Sequence, residues 1–267
     1  MCVAGLTGWT GEAVAQGVQS APDLRLHCGV ARSAARGEHL GVPVYATVAE
    51  ALDAGGVDVL VDYTSHAAVG DHARTAIERG VPVVVGSSGL SGADYVQLAE
   101  LATRRGVGVV ASGNFSLTAA LLQAAAKLAA RHLPHWEIVD YAYSGKSDAP
   151  SGTARELAEQ LAAVRAPEYE IDPARTAGHP EARGAAIDGV QVHSVRLPGY
   201  VIAVEAIFGL PDERLTIRHD AGSSATPYVA GTLLAIRAAA AGPPGLVRGL
   251  DTLLLSPRRA RTAGASD

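Results

Sequence analysis

The sequence predicts an α/β protein. It opens with a doubly wound, mostly parallel sheet and continues into an α+β unit with a largely antiparallel or mixed sheet. Three observations predict this. Short apolar runs alternate with helix-spaced segments over the first 113 residues. A glycine-rich turn follows the first apolar run directly. Beyond residue 113 the alternation gives way to a long helix and then to strands with one wet face. Strand–helix alternation favours parallel pairing with right-handed crossovers, because each helix must return the chain to the same edge of the sheet.

The elements follow in order. Met1–Ala4 is a short strand, and Gly11–Ser20 behind the glycine turn has helical spacing. Leu24–Val30 is strand-like and Val48–Ala54 helical. Val57–Tyr63 (VDVLVDY) is nearly continuous in apolar residues, as a strand buried on both faces should be. Ala67–Arg79 is a helix, Val81–Val85 a strand, Ser91–Arg105 a helix and Val107–Ala111 a strand. Leu117–Arg131 is a long alanine- and leucine-rich helix. Glu137–Tyr143 is a strand and Gly152–Val164 a helix. Pro167–Arg183 is polar and punctuated by Pro and Gly, so a loop is expected. Val190–Arg196, Val201–Phe208 and Glu213–His219 alternate like antiparallel strands. Tyr228–Ala241 is a helix, stopped by the PPG at 243–245.

Composition removes several function classes. The 267 residues are 48% hydrophobic and 18% charged, enough to bury a core. A net charge of −5 and only 4% aromatic residues argue against a nucleic-acid surface, which is usually basic and often stacks bases. Cys2 and Cys28 are the only cysteines, which points to a reducing, cytoplasmic setting. No CxxC spacing supports a zinc site. No basic segment precedes the first apolar run, so no signal peptide is expected, and no apolar run reaches the ~18 residues of a membrane span. The tail SPRRARTAGASD is expected to fray.

The turn after the first strand is GLTGWTG: Gly5, Leu6, Thr7, Gly8, Trp9, Thr10, Gly11. Glycines allow a sharp turn and a close approach to a pyrophosphate, and the helix behind them aims its free N–H groups at that anion. This is the fingerprint of a Rossmann-type dinucleotide domain, with a ligand-free tight turn as the other reading. NAD binders usually end the second strand with an acid that takes the ribose hydroxyls. Here GVARSAARG supplies Arg32 and Arg36 instead. An arginine would pair with a 2′-phosphate, which favours NADPH over NADH, unless both side chains simply face solvent. Two further loops fall at strand C-termini, where such sheets bind ligands. They are GSSG, with Gly86, Ser87 and Ser88, and SGNFS, with Ser112, Gly113, Asn114 and Phe115.

A second site is written in KSDAPSGT, residues 146–153. Pro150 fixes its own φ and donates nothing, and Ser151 is a natural N-cap for a helix from Gly152. The loop would offer N–H groups and the Ser151 and Thr153 hydroxyls to a carboxylate, with Lys146 adding charge or a proton. The plainer reading is a capped helix beside a surface lysine.

VDYT at 61–64, GSSG at 86–89, GNFS at 113–116, KSDAPSGT at 146–153, HSVRLPG at 193–199 and ERLTIRHD at 213–220 occur in the order seen in 4-hydroxy-tetrahydrodipicolinate reductases. The chain resembles that family from residue 3 to about residue 254. The resemblance implies a homotetramer with two domains per chain. Residues 1–113 plus about 225–267 would bind NAD(P)H, and 114–224 would carry the substrate and the subunit contacts. It implies reduction of a cyclic carboxylated imine or enamine. It puts Gly5–Gly11 on the pyrophosphate, and Gly86–Ser88 and Ser112–Phe115 on the cofactor. Lys146 would be a proton donor, and Gly152 and Thr153 would hold a substrate carboxylate.

The chain departs from the family pattern on the substrate side. Two adjacent histidines usual before the lysine are Ala142 and Tyr143, and the basic residues after them are Ser144 and Gly145. Ala203 and Val204 replace a histidine and glutamine before Glu205, and Ser224 replaces a late arginine. Alanine at 142 removes a group that titrates near neutrality, and a less basic pocket should hold a dicarboxylate less well. The expected function is therefore an NADPH-dependent reductase of a related carboxylated imine, enamine or other unsaturated compound, in specialised metabolism. Tyr143 is the replacement acid, its pKa lowered by nearby Lys146, or else a packing residue. Tyr141 is expected on the opposite face. The alternatives are the ordinary lysine-pathway reductase, with the proton from Lys146 or water; a non-catalytic NADPH sensor; and a dehydrogenase or isomerase on the same scaffold.

Overall fold

The computed structural model describes residues 1–32 and 37–255. Arg36 and the basic tail from residue 256 therefore lie outside the described residues. The first half builds β1 (Cys2–Ala4), α1 (Trp9–Ser20), β2 (Cys28–Val30), β3 (Gly37–His39), β4 (Val42–Tyr45), α2 (Val48–Asp53), β5 (Leu60–Asp62), α3 (Val69–Glu78), β6 (Val83–Val85), α4 (Gly92–Arg105) and β7 (Gly108–Ala111). The second half builds α5 (Leu117–Ala130), β8 (His135–Ala142), α6 (Gly152–Val164), β9 (Ala185–Ile187), β10 (Val190–Arg196), β11 (Ile202–Leu210), β12 (Glu213–Ala221), α7 (Thr226–Ala241), β13 (Gly245–Arg248) and α8 (Leu250–Leu255).

The first sheet has eight strands in the order β13-β7-β6-β5-β1-β2-β4-β3, parallel except for β3. Its two faces are both buried. Val14, Ala15 and Val18 of α1 pack with Ile236 and Ala239 of α7 on one side. Val48, Ala73, Ile77, Leu98 and Ala102, from α2, α3 and α4, pack on the other. Two covered faces explain why β5 and β6 read as unbroken apolar runs. They also place the strand C-termini, with the glycine turn, GSSG and SGNFS, along one edge.

The second sheet runs β12-β11-β8-β10-β9. Its one parallel pair is β8 with β10, so it is mixed rather than wholly antiparallel. Helices α5 and α6 cover one face through Leu122, Ala126, Leu157 and Leu161, against Trp136, Ile138 and Phe208. Along β8 burial alternates strictly, with Trp136, Ile138, Asp140 and Ala142 on the helix-covered face.

Some elements of the structure lie outside the sequence reading. The hairpin β3–β4 was not foreseen. Its turn residues Leu40 and Gly41 both have positive φ, and leucine is no turn signal. Helix α7 ends at Ala241, before the PPG, as expected, but β13, which the sequence did not announce, starts at Gly245 and pairs in parallel with β7. The stretch 167–183 is irregular as expected, apart from two short 3-10 turns. Cys2 and Cys28 are neighbours in the β1–β2 register, both buried and unbonded. Among the described residues no helix is long and apolar enough to cross a membrane.

Candidate active site

The glycine turn is built of backbone packed on backbone. Gly5 has a φ of 85°, and a Cβ there would lie 2.3 Å from the Tyr63 carbonyl oxygen. A Cβ on Gly11 would lie 2.1 Å from the Gly5 carbonyl oxygen. Neither position admits a side chain. Gly8 caps α1 without a side-chain acceptor, so the first-turn N–H groups of Trp9, Thr10 and Gly11 are left for a ligand. The cradle fits a pyrophosphate. Leu6 is fully buried against Gly29 and can meet a ligand only through its backbone.

Gly5, Thr7, Gly8 and Arg32 line a hollow of about 530 Å³ at the C-terminal end of β2. Arg32 is exposed there, and no carboxylate is among the described residues lining it. Beneath it Asp62, fully buried, ends β5 as a hub. It accepts hydrogen bonds from the Thr64 backbone N–H (3.1 Å), the Thr64 hydroxyl (2.8 Å) and the Ser87 hydroxyl (2.6 Å), and it pairs with His72 Nδ1 (2.7 Å). The Ser87 side chain is thus turned inward.

Tyr63 is also a wall of a second cleft, of about 330 Å³. Trp9 and Thr10 enter it from the glycine turn, Gly86 and Ser88 from GSSG, and Gly113, Asn114 and Phe115 from SGNFS. Lys146, Ser151, Gly152 and Thr153 close it from the other sheet's side. The two motif groups quoted from sequence are therefore brought together. Two larger hollows lie at the β8–β11 edge and between α7 and the start of β1. Neither includes a residue of the glycine turn or of KSDAPSGT.

The walls are fixed from behind. Gly86 is pressed on Tyr63, since a Cβ would lie 2.3 Å from the ring. The Tyr63 hydroxyl bonds Thr232 Oγ1 at 2.6 Å, and burial pushes its pKa up, so it stays neutral. Phe115 stands edge-on to Tyr63 at 6.1 Å. Ser112 is buried, with its hydroxyl on the Asn114 carbonyl. Glu156 of α6 is buried and accepts from Gly113 N–H (2.9 Å) and Gln123 Nε2 (3.2 Å). Burial raises its pKa despite these bonds. Asn114 Nδ2 donates to Thr153 Oγ1 at 3.3 Å.

Asp140 sets the position of KSDAPSGT. This fully buried carboxylate accepts from Ser151 N–H (2.8 Å), the Ser151 hydroxyl (2.7 Å), the Ser194 hydroxyl (3.3 Å) and Arg196 Nη2 (2.7 Å). Arg196 Nη2 also donates to the Asp148 carbonyl. The Ser151 hydroxyl is thereby committed inward, and it also caps Ala154 N–H. Gly152 and Thr153, the first two residues of α6, have N–H groups with no intrahelical acceptor.

Lys146 Nζ lies 2.6 Å from Asp148 Oδ1, with its side chain 19% exposed. Burial pushes the Asp148 carboxyl up, but the hydrogen bond and charge of Lys146 outweigh that and hold it below its usual value. Tyr143 is 49% exposed, follows the last residue of β8, and is not among the residues lining the cleft. Tyr141 stacks on Tyr200 at 5.1 Å and lies under Arg218. It stands on the face opposite Ala142, and a period of two carried past the end of β8 would put Tyr143 on its own side rather than the opposite one. Ala142 is fully buried and pairs across the sheet with Ile202, a cleft-lining residue.

Sequence reasoning missed Tyr63, Asp148, Ile202 and Tyr228 in the cleft, and Asp140 behind it. VDYT, KSDAPSGT and HSVRLPG had flagged Tyr63, Asp148 and Arg196 without roles. Tyr228 carried no local signal, because a helix from the far end of the chain delivers it.

Comparison with known proteins agrees with this geometry. The family model for the dihydrodipicolinate reductase N-terminus matches residues 1–115, and that for the C-terminus matches residues 116–254. A 4-hydroxy-tetrahydrodipicolinate reductase of Streptococcus pneumoniae is 39% identical over 225 residues, 82% of this chain and 85% of that protein. One from Bacillus pumilus is 37% identical over 201 residues, 73% and 72% of the two chains. A dipicolinate-bound dihydrodipicolinate reductase from Paenisporosarcina sp. TG-14 superposes with a TM-score of 0.78 at 28% identity, covering 94% of this chain and 97% of that one.

Proposed function

The chain belongs to the dihydrodipicolinate reductase family, and from that premise we propose that it is an NADPH-dependent reductase of a small carboxylated imine or enamine, with a substrate pocket altered from the family pattern. It is an NAD(P)H-dependent oxidoreductase acting on a C=N bond. The observation that carries the substrate side is one cleft shared by the nucleotide loops, Lys146 and the start of α6.

The Gly5–Gly11 turn would hold the pyrophosphate, and Gly86, Ser88, Gly113, Asn114 and Phe115 would wall the nicotinamide. Bound there, a reduced nicotinamide would supply a hydride, one proton with two electrons, to an imine carbon. Arg32, exposed on a hollow with no carboxylate among its described lining residues, would meet a 2′-phosphate, which supports NADPH over NADH. The N–H groups of Gly152 and Thr153 take the substrate carboxylate at the positive end of α6. Ser151 contributes by holding that helix start on Asp140. Lys146 gives its proton to the imine nitrogen as C=N becomes C–N, and water at the cleft mouth restores it. Lys146 is preferred to Tyr143 because its ammonium lines the cleft and the phenol does not.

We divide the chain into 1–113 with about 225–267 for the nucleotide and 114–224 for the substrate and the contacts of a homotetramer; the place of β13 in the first sheet supports the first part. A cytoplasmic setting accords with two unbonded thiols. The lysine-pathway reductase is the second reading, favoured by the names of the relatives. Assay of the purified chain with NADPH on freshly made hydroxy-tetrahydrodipicolinate and on other cyclic imines separates the two. Turnover of the former at least equal to every other imine would establish the pathway enzyme. NADPH binding without turnover on any of them would leave a sensor.

A further inference from the structure

The charges lining the cleft point to a narrower substrate class. Among the described lining residues Lys146 is the one cation and Asp148 the one carboxylate, and they are paired at 2.6 Å. The N–H groups at the start of α6 add one anion seat, and the nearby Arg196 is not among the described lining residues, being taken up behind the loop by Asp140 and the Asp148 carbonyl. The opposite wall is apolar or aromatic. Trp9 stands edge-on to Tyr228 at 6.0 Å, Phe115 packs on Tyr63, and Ile202 lies beside buried Ala142. Tyr63 keeps its proton and spends it on Thr232.

Resting on the reductase reading, we infer that the substrate is an imine bearing a single carboxylate, whose remaining body is uncharged and lies against the Trp9–Tyr228–Ile202 wall. One carboxylate takes the α6 seat, where it faces open N–H donors. A second would be desolvated against that wall with no cationic side chain of its own there, and would share the cleft with the like charge of Asp148. A ring or short alkyl body gains from the same wall by losing apolar surface to it. The specificity is thus made as much by what the cleft withholds as by what it offers.

The test uses the full chain with NADPH and three freshly prepared cyclic imines: pyrroline-2-carboxylate, piperideine-2-carboxylate and the dicarboxylated hydroxy-tetrahydrodipicolinate. The better monocarboxylate is expected to exceed the dicarboxylate in kcat/KM by about tenfold or more, the scale set by one unpaired polar group. Calorimetry with NADP⁺ present reads binding apart from turnover, and pyridine-2-carboxylate is expected to bind more tightly than pyridine-2,6-dicarboxylate. Ile202→Arg puts a cation on the apolar wall and is expected to narrow the preference. Equal or reversed preference in turnover overturns the inference and leaves the reductase reading standing. No reduction of any imine, with neither pyridine acid bound, overturns the reductase reading and the inference with it.

Discussion

Lys146 and Tyr143 are three residues apart and face different surroundings. Lys146→Met is expected to lower kcat by about 100-fold or more if its ammonium is the proton source, with NADPH affinity kept. Tyr143→Phe is expected to retain turnover within about twofold at saturating NADPH, since a half-exposed phenol outside the cleft has little to give. A large loss in that variant would return the proton to the phenol. Arg32→Asp should reverse cofactor preference by about tenfold or more, measured as the ratio of kcat/KM with NADPH and with NADH. His219 gives a pH signature. Burial lowers its pKa below the ordinary value of about 6.5, with Asp220 offsetting part of the shift. The folded state then binds its proton less readily than the unfolded chain. Stability is full above pH ~6.5 and declines as the pH falls from there toward the lowered folded value. Urea titrations across that window should show a decline in the wild type that shrinks in His219→Gln.

The helices and strands were more legible than the contacts between them. Gly152–Val164 and Val190–Arg196 have the bounds read from sequence, because a serine N-cap and an apolar–polar–apolar start such as Val190–Val192 are local signals. The β3–β4 hairpin and β13 carried no such signal. Each is short and is stabilised by the strand it joins, β2 or β7, rather than by its own pattern. The same holds in the site. KSDAPSGT announced an anion seat, but Asp140 looked like an ordinary polar residue within β8. Its role exists only because β10 runs parallel beside it and delivers Ser194 and Arg196. Arg196→Met removes one partner of this buried pair and is expected to destabilise the fold by about 3–5 kcal/mol. The loop it anchors carries the proposed carboxylate seat, so the KM for substrate should rise more than the KM for NADPH. Thermal unfolding and steady-state kinetics on one preparation check both halves.

At the scale of the whole molecule, the chain's end closes what its beginning opens. Strand β13 lies at the edge of the first sheet, and α8 behind it packs on α5 with the buried Asp251 paired to Lys127. Leu250 joins the core formed by α1 and β1. Deleting residues 244–267 removes a whole edge strand and this core contact, and it leaves the Lys127 ammonium without its carboxylate. The truncated chain is expected to unfold at least about 5 °C lower, or to fail to fold, although its glycine turn is intact. Thermal unfolding followed by circular dichroism measures the loss.

The ties from Glu156 to Gly113 and from Asn114 to Thr153 join a loop of one sheet to the first helix turns over the other. The proposed nucleotide end and the proposed carboxylate end of the cleft are therefore tied to each other. If cofactor binding steadies that loop it also steadies the anion seat, and the two ligands are then expected to bind with positive linkage. Whatever factor NADP⁺ adds to the affinity of a pyridine carboxylate, the carboxylate must return to NADP⁺ in equal measure. Severing the tie with Glu156→Ala should bring both factors toward one together, so that the two halves of the cleft fill as strangers.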